Sequence, residues 1–320
     1  MGTPNEIIPI FFTIDDGFAP FLGVALHSMV QNASKAHRYK VIVLHQGISE
    51  QNKLRLASLA TENFEIEFIP MEGRLEGITD RMCNRLRADF FTLTIYFRLF
   101  IPAMFPEYDK GIYLDSDIIV PGDISELYHV ELGDNLLGAA VDPAVVHIPE
   151  FSKHAELRVG IDRNRYFNSG VLLMNLKRLR EVDLDRRFLE LLNTYHFECV
   201  APDQDYLNAM CSGKVVYLPA TWDAMPSGFC VPMPHPDLIH YNLFAKPWHY
   251  DCVPYEHFFW RYAGSSGYLP EIQGIKAGFL EADTRADDEH LKLLISRAGS
   301  IDDEEISFRK VFDGGREPRL

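Results

Sequence analysis

The sharpest chemical feature of the chain is an apolar strand that runs into two carboxylates. In KGIYLDSDIIV, residues 110–120, Asp115 and Asp117 stand two positions apart, so in extended backbone both side chains point to one side. Two carboxylates held that close repel unless a proton or a cation lies between them. A hard divalent ion with oxygen ligands suits the pair. The competing reading is a solvated turn that holds two acids, but the apolar flanks favour burial. A second stretch, DLIHYNLFAKPWHYD (237–251), ends an apolar run in His240 and carries Lys246 in a turn before Pro247. A neutral imidazole can add a third ligand to a carboxylate-bound Mn²⁺-type ion, and an ammonium is a point charge suited to phosphate. A purely structural histidine is the plainer alternative, and Trp248 reads as packing.

Two further stretches are polar where their surroundings are apolar. In PDQDYLN (202–208), Pro202 and the acids suit the first turn of a helix. Asp203, Gln204 and Asp205 also gather several acceptors and an amide donor in one turn, a way to grip sugar hydroxyls. In YFNSGVLLMNL (166–176), Asn168 and Ser169 precede a glycine and a buried strand. A turn with asparagine at a permissive backbone position is the simple account of that stretch.

These residues need a scaffold, and the pattern supplies an α/β one. Strands are expected at 7–14, 39–45, 64–69, 110–115, 136–141, 171–176, 215–218 and 237–241. Helices are expected at 19–31, after Ser49 as N-cap, at 92–100, near 184–196 and from Pro202. Alternation of this kind gives βαβ units and a mostly parallel sheet flanked by helices. Ligands in such sheets bind beyond the carboxyl ends of the strands, where the acid pair falls. Residues 219–236 are Pro-rich and irregular, and segments that long often cover a site. After about residue 255 the pattern turns helical. Neither G-x-G-x-x-G after the first strand nor a Walker A sequence is present, which argues against a dinucleotide or ATP γ-phosphate site.

Composition narrows the partners. The 320 residues hold 46 acids against 31 bases, a formal net charge of −15, which opposes nucleic acid and anionic lipid. No apolar run is long enough to span a bilayer. The N-terminus reads as a strand rather than a signal peptide. The five scattered cysteines read as reduced thiols. A cytoplasmic location follows as an expectation, with peripheral contact at the inner membrane face as its variant. A structural zinc site from Cys230, His235, His249 and Cys252 has spacings that do not match the usual paired ones.

The ordered stretches FTIDDGFAPFLGVALHSM, TIYFRLFIP, YLDSDIIV, LGAAVD, YFNSGVLLMNL, PDQDYLN and IHYNLFAKPWH together resemble the retaining glycosyltransferases of family 8. That family includes bacterial α-glucosyl- and α-galactosyltransferases. The resemblance spans residues 7 to about 262. It implies a GT-A fold, an α/β architecture with a mixed, mostly parallel central sheet flanked by helices. Residues 1–262 would be the catalytic domain and 263–320 a C-terminal helical extension. It further implies a hexosyltransferase that uses UDP-glucose or UDP-galactose with Mn²⁺ or Mg²⁺, and a carbohydrate, glycolipid or glycoprotein acceptor.

Carried onto this chain, the resemblance makes Asp115, Asp117 and His240 the metal ligands. Asp15 would face the uracil–ribose end of the donor, and Arg98 the sugar or diphosphate. Asn168, Asp203 and Gln204 would line the sugar, and Lys246 would bind the diphosphate. Similar proteins often carry asparagine at Gly17 and glycine at Leu243. Their lipid-active members often end in a basic, aromatic tail, whereas this tail is acidic. Gln204 is the residue expected at the reacting face of the sugar and is a poor nucleophile. That favours a front-side route, with Asp203 as the alternative nucleophile. The rival functional readings are a non-catalytic relative that binds nucleotide sugars and a haloacid-dehalogenase-like phosphatase, which also presents D-x-D after an apolar strand.

Overall fold

An Ile/Phe run with no polar alternation opens the fold as strand β1, Ile7–Asp15. Ile8, Ile10, Phe12 and Ile14 enter one hydrophobic cluster and Phe11 enters another. Burial on both faces is what such a run requires of a central strand in a parallel sheet. β2 (Arg38–Gln46) pairs with β1, β3 (Phe64–Pro70) pairs with β2, and β4 (Gly111–Leu114) pairs with the other side of β1. All three pairings are parallel. Helices Ala19–Asn32 and Glu50–Ala57 make the first two crossovers, and the Ser49 hydroxyl caps the second by accepting from Asn52 N–H. The computed structural model describes residues 6–71, 93–229, 231–300 and 306–320.

The later strands are β5 (Ile118–Ile119), β6 (Leu137–Ala139), β7 (Val171–Met174), β8 (Val215–Tyr217) and β9 (Ile239–His240). Among the described residues seven strands form one sheet in the order β3-β2-β1-β4-β7-β6-β8. β7 runs antiparallel to both neighbours, whereas β6 and β8 are parallel. The sheet is therefore mixed and mostly parallel, as expected. β5 and β9 form a separate antiparallel ladder in which Ile118 faces His240. That ladder brings the two polar stretches together across more than a hundred residues of chain.

Some local expectations change; the strand expected at 136–141, for instance, is only Leu137–Ala139. The segment expected as a helix over 92–100 is a 3₁₀ helix, Leu93–Leu99. The expected strand at 237–241 shortens to β9. The irregular 219–236 segment contains a 3₁₀ turn, Ala220–Asp223, and the next residue, Ala224, pairs with the 238–240 segment through Ala224 N–H to Leu238 O and His240 N–H to Ala224 O.

Beyond residue 263 come helices Leu269–Gly278, Glu281–Gly299 and Phe308–Phe312. They enter both halves of the core, with Tyr268 and Ile272 on one side and Leu294, Ala298, Phe308, Val311 and Phe312 on the other. Among the described residues no helix is long and apolar enough to cross a membrane. Cys199 and Cys211 are buried thiols and Cys252 is an exposed one. Cys83 and Cys230 lie outside the described residues, and the four-ligand zinc reading lies there with Cys230.

Candidate active site

β1 and β4 are parallel neighbours, so their carboxyl ends share one edge of the sheet. At that edge the Thr13 hydroxyl lies 2.8 Å from Tyr113 Oη, and Tyr113 donates to Asp115 Oδ1 at 2.7 Å. Arg98 Nη2 donates to the same oxygen at 2.9 Å. The Asp115 amide donates to Gly170 O at 2.8 Å, which fixes the end of β4 against the turn before β7. Two residues on, the Asp117 carboxylate accepts from Lys246 Nζ, which also donates to Tyr241 O.

His240 completes the group from β9. Its Nε2 lies 3.4 Å from Asp117 Oδ1 and 3.8 Å from Asp115 Oδ2. Ligand atoms of the three residues all lie within 4.8 Å of one another. Behind the ring, Nδ1 sits 3.0 Å from Asp223 Oδ1, and both side chains are buried. An ionised carboxylate only accepts, so this contact keeps a proton on Nδ1 and turns Nε2, which must give up its own proton to bind an ion, towards the aspartates. Carboxylate-backed imidazoles of this kind are how metal-binding histidines are oriented. Two carboxylates and one pre-oriented imidazole fit a Mn²⁺- or Mg²⁺-type ion.

The charges at this edge are tightly balanced. Burial alone would strip His240 of a proton, but Asp117 and Asp223 outweigh it and push its pKa up to about 10. Burial pushes Asp117 up, yet Lys246 and His240 hold its carboxyl well below the usual range. Burial also raises Asp223, against the attraction of His240.

The sugar-side residues form a second network on the other side of Arg98. Arg98 is buried, and its Nη1 donates to Ser169 O at 2.6 Å and lies 3.2 Å from Asp203 Oδ2. Asp203 also accepts from the Ser169 hydroxyl at 2.8 Å. Gln204 is pinned at both ends: Oε1 accepts from Ser169 N–H at 3.0 Å, and Nε2 donates to Asp142 Oδ2 at 3.0 Å. Asn168 Nδ2 donates to that same Asp142 oxygen at 3.2 Å. Arg98, Asp115, Asn168, Asp203 and Gln204 therefore converge on the 168–170 turn. Asp15 stands apart at the end of β1, where it accepts from Phe18 N–H at 3.3 Å and caps a 3₁₀ turn.

Three contributors escaped the sequence reading. Asp142 follows β6 and cross-links Asn168 to Gln204. Asp223 backs His240, and its one visible signal is an acid set between Trp222 and Ala224. Gly170 is needed because a Cβ there would come within 2.3 Å of His240 Cε1 and 2.7 Å of Asp115 Oδ2. Leu243 has φ 58°, a left-handed conformation that costs a non-glycine residue roughly 1–2 kcal/mol. The chain thus keeps a glycine-like backbone in this loop while presenting leucine.

Asp205 serves the scaffold. It accepts from Tyr166 Oη at 2.5 Å and Val200 N–H at 2.9 Å, and His154 Nε2 lies 3.0 Å away. Burial pushes its pKa up, but His154 and these hydrogen bonds prevail and hold it below the usual carboxylate value. A depressed carboxylate stabilises the fold above its unfolded pKa, about 3.9, and that contribution disappears as pH falls through the folded value. Asp205→Asn should therefore cost about 3–5 kcal/mol at pH 7. In urea melts the gap to the parent should narrow as pH drops below about 4; a constant gap would contradict the ionic role.

An acid pair at the carboxyl edge of a mixed sheet, closed by a two-stranded ladder, fits the GT-A fold of glycosyltransferases, which the likeness to a solved galactosyltransferase shows. The chain belongs to glycosyl transferase family 8, whose sequence model matches residues 9–252. It is 26% identical over 259 residues to a putative glycosyltransferase of Haemophilus influenzae, covering 78% of this chain and 75% of that one. With lipopolysaccharide 1,2-glucosyltransferase of Escherichia coli K12 it shares 25% identity over 277 residues, covering 77% and 74%. The solved structure of galactosyltransferase LgtC with donor and acceptor sugar analogues matches at TM-score 0.67 and 30% identity, covering 81% of this chain and 96% of that one.

Proposed function

We propose that the chain is a retaining hexosyltransferase. It moves glucose or galactose from a UDP-sugar to an acceptor hydroxyl on a carbohydrate, glycolipid or glycoprotein, with Mn²⁺ or Mg²⁺ held by Asp115, Asp117 and His240. The observation that carries this reading is the convergence of those three side chains with Asp223 behind the imidazole. The glucosyl and galactosyl activities named for the relatives support a hexose. In this reading residues 1–262 form the catalytic domain, and the helices of 263–320 are an extension that completes its core.

Breaking the anomeric C–O bond puts negative charge on the diphosphate and positive charge on the sugar ring. A bound divalent ion supplies a Lewis acid for the departing diphosphate. Lys246 supplies a second positive charge, because its flexible stem lets the ammonium leave Asp117 for a phosphate oxygen. Arg98 pairs with Asp115 and Asp203 on either side of it. Asp203 is buried and already paired with Arg98 and Ser169, which makes it a weak nucleophile, and the Gln204 amide is weaker still. A front-side route fits both facts. The acceptor oxygen bonds to the anomeric carbon on the face that UDP leaves, and a departing phosphate oxygen takes the hydroxyl proton.

Gln204→Ala should slow transfer by roughly ten- to a hundredfold without abolishing it, since it removes one amide and leaves Asp142 short of a donor. A glycosyl adduct on Asp203, found by mass spectrometry of the stalled enzyme, would overturn the front-side route. The function itself is tested by UDP release from UDP-glucose and UDP-galactose across an acceptor panel, with Mn²⁺ and with EDTA. Metal-dependent release with one donor is the expected result. Tight binding without any release would make the protein a non-catalytic binder.

A further inference from the structure

The turn that carries Lys246 is gripped by residues outside the segment that matches the family. Lys246 O accepts from the amides of His249 at 3.0 Å and Tyr250 at 2.9 Å, which closes the turn on itself. From helix Leu269–Gly278, Lys276 Nζ donates to Pro247 O at 2.9 Å and Tyr250 O at 2.8 Å, and pairs with Asp251 at 2.9 Å. The Phe279 ring stacks on His249 with centroids 4.1 Å apart and planes 9° apart. Tyr250 Oη donates to Asp287 at 2.7 Å. From the other side Trp248 is buried against Phe21, with centroids 4.1 Å apart. One ammonium on two carbonyls three residues apart in sequence sets the shape of that turn, and with it the root of the Lys246 side chain.

We propose that Lys276 is a positioning residue for Lys246: by clamping the Pro247 and Tyr250 carbonyls, it aims the Lys246 ammonium at the Asp115–Asp117 edge. The target of Lys246, a nucleoside diphosphate, rests on the function proposed above. The clamp itself does not. A lysine side chain has four rotatable bonds, so its reach is useful only if its backbone is fixed. Lys276 supplies that fixation from a helix that contributes none of the proposed metal- or sugar-binding residues. The C-terminal helices therefore have a part in donor binding as well as in the core.

The test uses the full chain with Lys276→Met, Lys276→Arg, Lys246→Met and the double variant Lys246→Met/Lys276→Met. In hydrogen exchange, Lys276→Met should speed the His249 and Tyr250 amides and leave β1 and β4 amides unchanged. Unchanged His249 and Tyr250 exchange would overturn the clamp, whatever the protein binds. In titrations with UDP and Mn²⁺, Lys276→Met should raise the Kd roughly tenfold. Lys276→Arg, whose fork can reach two carbonyls, should recover most of it, and Lys276→Met should add nothing to Lys246→Met. Full additivity, or an unchanged Kd in a Lys276→Met protein whose turn has loosened, would overturn the positioning role. Failure of the parent protein to bind UDP would instead refute the proposed function, and hydrogen exchange alone would then decide the clamp.

Discussion

Asp117→Ala should lower sugar transfer by on the order of a thousandfold. Asp117 is at once a candidate metal ligand and the counter-charge for both Lys246 and His240. Its removal takes one of three ligands from the ion and leaves two cationic groups facing each other. A loss of several kcal/mol of leaving-group stabilisation corresponds to that factor, at 1.36 kcal/mol per tenfold. Asp117→Asn keeps the shape but not the charge, and should fall nearly as far. Raising Mn²⁺ should not rescue either variant. Turnover at the parent rate in Asp117→Ala would remove Asp117 from the metal site.

Gly170→Ala should be nearly as damaging although glycine has no chemistry of its own. The added methyl would meet His240 Cε1 and Asp115 Oδ2 well inside contact distance. Gly170 cannot simply retreat, because its carbonyl accepts from the Asp115 amide. His240 must therefore turn away from the aspartates, or the end of β4 must shift. Overpacking of this kind costs about 1–3 kcal/mol of stability. Displacing an oriented ligand should weaken metal affinity by roughly a hundredfold. Calorimetric titration with Mn²⁺ and a thermal melt on the same variant separate the two effects. Parent-like metal affinity would mean that His240 is not a ligand.

Much of this arrangement was legible in the residues. The unbroken Ile/Phe run of β1 demanded a doubly buried strand. D-x-D at an apolar strand end placed two carboxylates on one side, and His240 and Lys246 were visible as the groups able to join them. Other features need the third dimension. β7 runs antiparallel, yet VLLM looks the same in either direction, since a doubly buried strand shows no alternation. Asp223 lies 17 residues from His240, and Asp142 lies 62 residues from Gln204, so no local spacing marks either acid as a partner. Arg98 was expected against the donor, and it is held by Asp115, Asp203 and Ser169. Lys246 was expected at the diphosphate, and it rests on Asp117, since the cation of the loop and the acid of the strand end are each other's nearest charge.

The proposed donor site requires that a diphosphate bind here through a divalent ion. Thermal denaturation with UDP, UDP-glucose and UDP-galactose, each with Mn²⁺ and with EDTA, tests this most directly. At a hundred times its Kd a ligand adds about 2.7 kcal/mol of stability. The predicted result is a shift of that size with at least one UDP compound, present with Mn²⁺, absent with EDTA and absent in Asp117→Ala. No shift with any of them, or equal shifts with and without metal, would contradict the metal-borne donor site.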